Sequence, residues 1–168
     1  METIANLMAL SAKTAPKTRG QDVLEIKVLS QDEKDKVADE MLKIAGERNN
    51  PGFTRDGNNV RDSEALVLIG LKPHDSCGFD CTACGFKTCS DFDLTSTSGE
   101  FKGPNCSFRL LDMGIALGSA AKTASMHNVD NRIMYRVGVA VMRLDLLNSN
   151  FVMGIPLSAS EKNIYFDR

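Results

Sequence analysis

Residues 65–89 read ALVLIGLKPHDSCGFDCTACGFKTC. The first seven, Ala65 to Leu71, are apolar without a break, so neither face of the segment is left for water. Seven residues suit a strand better than a helix, and the run reads as a strand buried on both sides. A cysteine loop follows at once. Cys81, Cys84 and Cys89 share one tight turn and Cys106 lies beyond it, giving C-x2-C-G-x3-C-x16-C. Three thiols on a loop and a fourth on the next segment can wrap a soft metal site. Thiolate-only ligation admits an iron–sulfur cluster or structural zinc. Structural zinc commonly draws its ligands from two paired knuckles. Here there is one knuckle, then C-x4-C and a lone cysteine.

The loop resembles the small [4Fe–4S] domain of corrinoid iron–sulfur proteins and of B subunits of Rnf-type electron-transport complexes. In those a C-x2-C-G-x3-C loop is followed, at this same distance, by a last ligand that often neighbours a proline. Gly85 and Pro104 match. The resemblance implies a [4Fe–4S] cluster on Cys81, Cys84, Cys89 and Cys106, with zinc on the same thiols as the alternative. Cys77 is a fifth thiol, an alternative ligand or a buried neighbour of the site. With Cys81 and Cys84 it also spells the spacing of radical S-adenosylmethionine enzymes. Those usually carry an aromatic where Ala83 stands, and they need a partial barrel too large for this chain.

The 168 residues suffice for one domain with a sizeable core. A net charge of −2 provides no basic surface for nucleic acid or an anionic membrane. No apolar run reaches the ~18 residues of a membrane span, and the N-terminus lacks the basic-then-apolar order of a signal peptide. The expectation is a cytoplasmic protein without membrane insertion. Its five cysteines then read as metal ligands rather than disulfides.

Around the loop the pattern predicts a helix over 3–13, ending near Pro16, and a half-buried strand over 23–29. Ser30 and Glu33 form a capping box that opens a helix to about Gly46. Residues 46–62, rich in Asn and Gly, read as loop. A long helix spans 107–127, with a small-residue stripe at Gly114, Gly118, Ala121 and Ser125 that suits either internal packing or a homodimer seam. Asp130 reads as the N-cap of a helix to Leu147. A last strand runs from Phe151 and stops at Pro156, and the apolar tail 163–168 should pack on the core or on a partner subunit. The fold class is α+β: a single domain over 1–168, a few-stranded sheet flanked by helices, and a cysteine-rich loop inserted at 74–106.

The N-terminal third is similar to the opening of nitroreductase-type flavoproteins, whose A-P-S-x-x-N-x-Q loop and nearby Arg hold FMN. Ala15, Pro16 and Gln21 match that loop, and Lys17 stands where the family has Ser. The basic group Lys13, Lys17 and Arg19, together with Gln21, is the candidate phosphate or FMN site. Across its last hundred or so residues the chain resembles the prokaryotic ferredoxin-domain family of unknown function. The Cys loop and the ending G-I-P-L-S-A-S-x-K-N-I-Y-F-D-R carry that resemblance, which implies a cluster and a prokaryotic, anaerobic setting but no reaction.

His74 reads as a hydrogen-bonding neighbour of the metal site and His127 as a helix cap. Asp80, Asp91 and Asp93 would depress the potential of a nearby cluster, and Lys87 would oppose them. No nucleophilic triad and no Walker or dinucleotide motif is present. The reading is thus an electron-transfer protein passing electrons to a partner protein or a bound flavin. The alternatives are an FMN oxidoreductase fed by the cluster and a non-redox protein stapled by zinc.

Overall fold

The computed structural model describes residues 1–166. In chain order the elements are α1 (Glu2–Thr14), β1 (Leu24–Val28), α2 (Gln31–Arg48), α3 (Pro51–Asp62), β2 (Ala65–Leu71), α4 (Cys89–Asp93), β3 (Thr97–Ser98), β4 (Lys102–Gly103), α5 (Ser107–Met126), β5 (Asp130–Asn131), α6 (Tyr135–Arg143) and β6 (Phe151–Ser158). The main sheet runs β1-β2-β6-β5 and every pairing in it is antiparallel.

β2 explains the arrangement. Leu66 and Leu68 face one way, into a core with Val37, Met41, Ile44, Phe53 and Val60 from α2 and α3. Val67, Ile69 and Leu71 face the other way, against Met8 and Ala12 of α1 and Met113, Ala116 and Ala120 of α5. A strand covered by helices on both sides has no polar face to alternate with, which is why its sequence is apolar throughout. Each such Leu or Ile removed from water contributes about 1.5–3 kcal/mol. β1 lies at the edge, and its Glu25 and Lys27 keep that edge charged. No helix of the described residues is long and apolar enough to cross a membrane.

The Ser30–Glu33 capping box is present, each side chain satisfying the other's backbone N–H. The expectation for 46–62 is corrected: α2 continues to Arg48, and Pro51–Asp62 is a helix. Asn50 caps it through Oδ1 to the Gly52 N–H, and Pro51 occupies its first turn. Its second glycine permits contact with α2, since a Cβ at Gly57 would stand 3.1 Å from Leu42. The helix expected from Asp130 begins only at Tyr135, because Asp130 and Asn131 pair with Ser158 and Leu157. β6 passes through Pro156 to Ser158. The missing N–H falls between the Met134–Gly154 bridge and the Asn131–Leu157 pair, where the ladder requires no donor. Tyr165 is buried and bonds Ser63 as the tail packs on the core, while Asp167 and Arg168 lie outside the described residues.

α6 rests on β6 at glycine-only distance. A Cβ at Gly138 would meet the Val152 carbonyl oxygen at 1.7 Å, and one at Gly154 would meet a Val137 methyl at 2.2 Å. Gly138→Ala is therefore expected to destabilise the protein by about 3 kcal/mol, the upper end for overpacking. Chemical denaturation checks this against Gly114→Ala, which adds its methyl to open space. Equal midpoints for the two variants would show that α6 does not lie this close.

Candidate metal centre

The segment between β2 and α5 carries all five of the chain's thiols, four of them on a loop whose backbone turns repeatedly through left-handed conformations. φ is positive at Gly78, Asp80, Thr82 and Gly85. Asp80 locks the turn in both directions. Its N–H donates to the Cys89 Sγ at 3.3 Å, and its carboxylate accepts from the Cys89 N–H at 2.7 Å. Thr88 caps the short α4 through the Asp91 N–H. Phe86 meets Phe92 edge-on at 5.6 Å, and Phe79 meets Phe108 edge-on at 5.3 Å.

All five cysteines line one small pocket, together with Phe79, Phe86 and Phe108. Cys77 and Cys106 are buried, Cys84 and Cys89 half-buried, and Cys81 exposed. Among the described residues, no three His, Cys, Asp or Glu side chains converge at the spacing of ligands round one metal ion. The residues fit a thiolate-held group: soft donors, an apolar wall, and at Cys89 an N–H aimed at the sulfur.

Cys106 is the N-terminal flanking residue of α5. Its N–H donates to Nε2 of His74 at 3.2 Å, and His74 Nδ1 faces the Lys72 carbonyl at 2.8 Å. Those partners require a neutral ring with its proton on Nδ1, and burial accordingly lowers the imidazole pKa. Burial also pushes the Cys77 thiol up to about 11, helped by the hydrogen bond it donates to Cys106. At Cys106 burial acts upward, but the N–H groups of Cys77, Arg109 and Phe108 together with that thiol outweigh it and lower the pKa.

The N-terminal candidates do not converge. Lys13 pairs with Asp22, and Lys17 turns back onto the carbonyls of Ala12, Lys13 and Ala15 at the end of α1. Arg19 and Gln21 line an open cleft of about 540 Å³ that adjoins His74 and Cys77. Arg19 donates to the Cys77 carbonyl at 3.0 Å and lies over Phe79. Gln21 accepts from Arg109. The small-residue stripe of α5 faces outward: Gly114 and Gly118 have nothing near their missing Cβ atoms, while Met113, Ala116 and Ala120 make the internal contacts. His127 is the C-cap of α5, as read.

Sequence reasoning missed Arg109 and Asp112. Both are buried on α5 and paired, and Asp112 accepts from the N–H and hydroxyl of Thr18, each at 2.8 Å. Two opposite charges three residues apart on an otherwise apolar helix face were the available signal.

The model of a family described as "Uncharacterized protein containing a ferredoxin domain" matches residues 102–168, which include Cys106 but not the three-thiol loop. An uncharacterized protein of Archaeoglobus fulgidus is 48% identical over 165 residues, 98% of this chain and 89% of that one. The fold is similar to nitroreductase A from Vibrio parahaemolyticus, with a TM-score of 0.60 at 11% identity, over 97% of this chain and 60% of that one. It is also similar to the FMN-dependent nitroreductase NfnB from Mycobacterium smegmatis (TM-score 0.59, 11% identity, 96% of this chain and 79% of that one). A BluB-like flavoprotein from Clostridium difficile gives the same TM-score at 14% identity, with 96% and 85% covered. The architecture is thus nitroreductase-like, and the chain spans 60% of the length of nitroreductase A.

Proposed function

The chain belongs to the family of uncharacterized proteins containing a ferredoxin domain, and from that premise we propose that it is an iron–sulfur electron-transfer protein. Cys81, Cys84, Cys89 and Cys106 would hold a [4Fe–4S] cluster, which when bound supplies one-electron chemistry. The observation that carries the reading is the pocket itself, which all five thiols line together with Phe79, Phe86 and Phe108.

The chain's own residues supply the surroundings. The Asp80 N–H at the Cys89 sulfur favours the more reduced state, because a hydrogen bond withdraws charge from the thiolate. Exposed Asp75, Asp91 and Asp93 act in the opposite direction. Phe86 and Phe108 exclude water, while the exposed Cys81 and Phe79 leave one side open to an electron donor or acceptor.

A flavin reading rests on the likeness to FMN-dependent nitroreductase NfnB. Its FMN would lie in the cleft beside Arg19 and Gln21, next to Cys77, and a second copy against the outward face of α5 would enclose it. The engagement of Lys13 and Lys17 elsewhere leaves Arg19 as the cation of that group on the cleft.

Protein purified without oxygen tests both readings in one spectrum, with iron, sulfide, zinc and flavin assayed on the same sample. The expected result is a broad brown absorbance that dithionite bleaches, with about four iron and four sulfide per chain. Added flavin bands would establish the second reading. A colourless protein with one zinc would overturn both.

A further inference from the structure

A [4Fe–4S] cluster takes four thiolates, and five thiols line the pocket. The surplus one is not placed at random. Cys77 is 3% exposed and Cys106 5%, both in one small apolar cluster with Phe92. Both thiols also line the same small pocket. Each is pinned from behind, Cys77 by Arg19 on its carbonyl and Cys106 by His74 on its N–H. Cys89 is engaged instead by Asp80. We propose that Cys77 and Cys106 form an oxidisable pair whose disulfide, made while the pocket holds no cluster, removes Cys106 from the ligand set and blocks loading until it is reduced.

The oxidant is a small peroxide, the class able to reach two buried sulfurs. The Cys106 thiol attacks one peroxide oxygen, the O–O bond breaks, and a sulfenic acid and one water form. The Cys77 thiol then attacks that sulfur and the hydroxyl departs with a proton as a second water. Two thiols have lost two protons and two electrons, and one peroxide has become two waters. The attack begins at Cys106 because that thiol stands at the N-terminus of α5, where the free backbone N–H groups of the helix favour a developing anion. A sulfenic acid with a thiol in contact is diverted to a reducible disulfide before it can reach the irreversible sulfinic state.

The loading half of this inference rests on the cluster reading, whereas the disulfide does not. The test uses the full chain, reduced and freed of metal by a chelator under nitrogen, then exposed to equimolar hydrogen peroxide. Free thiols are trapped by alkylation and peptides mapped after cleavage at aspartate, which separates Cys77 from Cys81 at Asp80. The expected product links Cys77 to Cys106 and leaves Cys81, Cys84 and Cys89 alkylated. Subsequent uptake of iron and sulfide should fall about tenfold and return with dithiothreitol. Cys77→Ser should load iron before peroxide, but after treatment with an excess of at least two equivalents of peroxide, one for each oxygen added, Cys106 should carry sulfinic acid that dithiothreitol does not reverse. A link among Cys81, Cys84 and Cys89, or an oxidised Cys106 beside an alkylated Cys77, would overturn the proposal. A Cys77–Cys106 link in a chain that never takes up iron would uphold the pair and overturn the cluster.

Discussion

Cys106→Ser should strip the protein of iron while leaving its fold in place. Serine is among the residues preferred just before a helix, so the hydroxyl suits the start of α5 as well as the thiol does. The change therefore removes a soft ligand and little else. Cys106 is the single member of the four-thiol set outside the loop, on the helix that packs against the sheet. Without it the remaining three can hold iron only on a segment anchored at its ends. Iron and sulfide should drop from about four per chain to below about one, since cluster binding and ordering of the loop are coupled. Proteolysis should then cut within 74–93 much faster, with far-ultraviolet circular dichroism unchanged. Full iron and sulfide in Cys106→Ser would mean that Cys77 or another group completes the site. Cys77→Ser, by contrast, should retain its iron.

What the sequence made legible follows from how local each signal is. β2 announced itself because a strand covered on both faces must be apolar in every position. The α2 cap was legible because Ser30 and Glu33 act on each other's backbone within one turn. α3 was hidden because Gly52, Gly57, Asn58 and Asn59 are weak helix formers. There packing against α2 prevails over propensity, and the Asn50–Pro51 start was the overlooked clue. Pro156 misled for the opposite reason: whether a proline ends a strand depends on what lies beside it, and here the neighbouring strand requires no donor. At the site, spacing singled out the thiols, but the burial of Cys77 and Cys106 in one cluster with Phe92 joins segments far apart in sequence and no pattern encodes it. The same holds for Arg19, read as a phosphate ligand and found holding the Cys77 carbonyl.

Asp112→Ala should cost about 3–5 kcal/mol, because it leaves the buried Arg109 guanidinium without its counter-charge. The carboxylate also accepts from the Thr18 N–H and hydroxyl, so its loss frees the segment 18–21 from α5. At roughly 2–4 °C per kcal/mol for a chain of this size, the unfolding midpoint should fall by about 6–20 °C. Removing the charge of both partners decides whether the pair stabilises the fold or only penalises its own disruption. Arg109→Met with Asp112→Leu replaces the ions by apolar groups of similar length, and such exchanges are often neutral or stabilising. The double variant should therefore recover most of the lost midpoint. It should not recover what the pair holds in position: Arg109 also donates to the Thr18 and Gln21 carbonyls, and that segment carries Arg19 to the Cys77 carbonyl. Restored stability with looser iron retention would separate the two roles. A double variant as unstable as Asp112→Ala would show instead that the contacts to Thr18, not the unpaired charge, carry the cost.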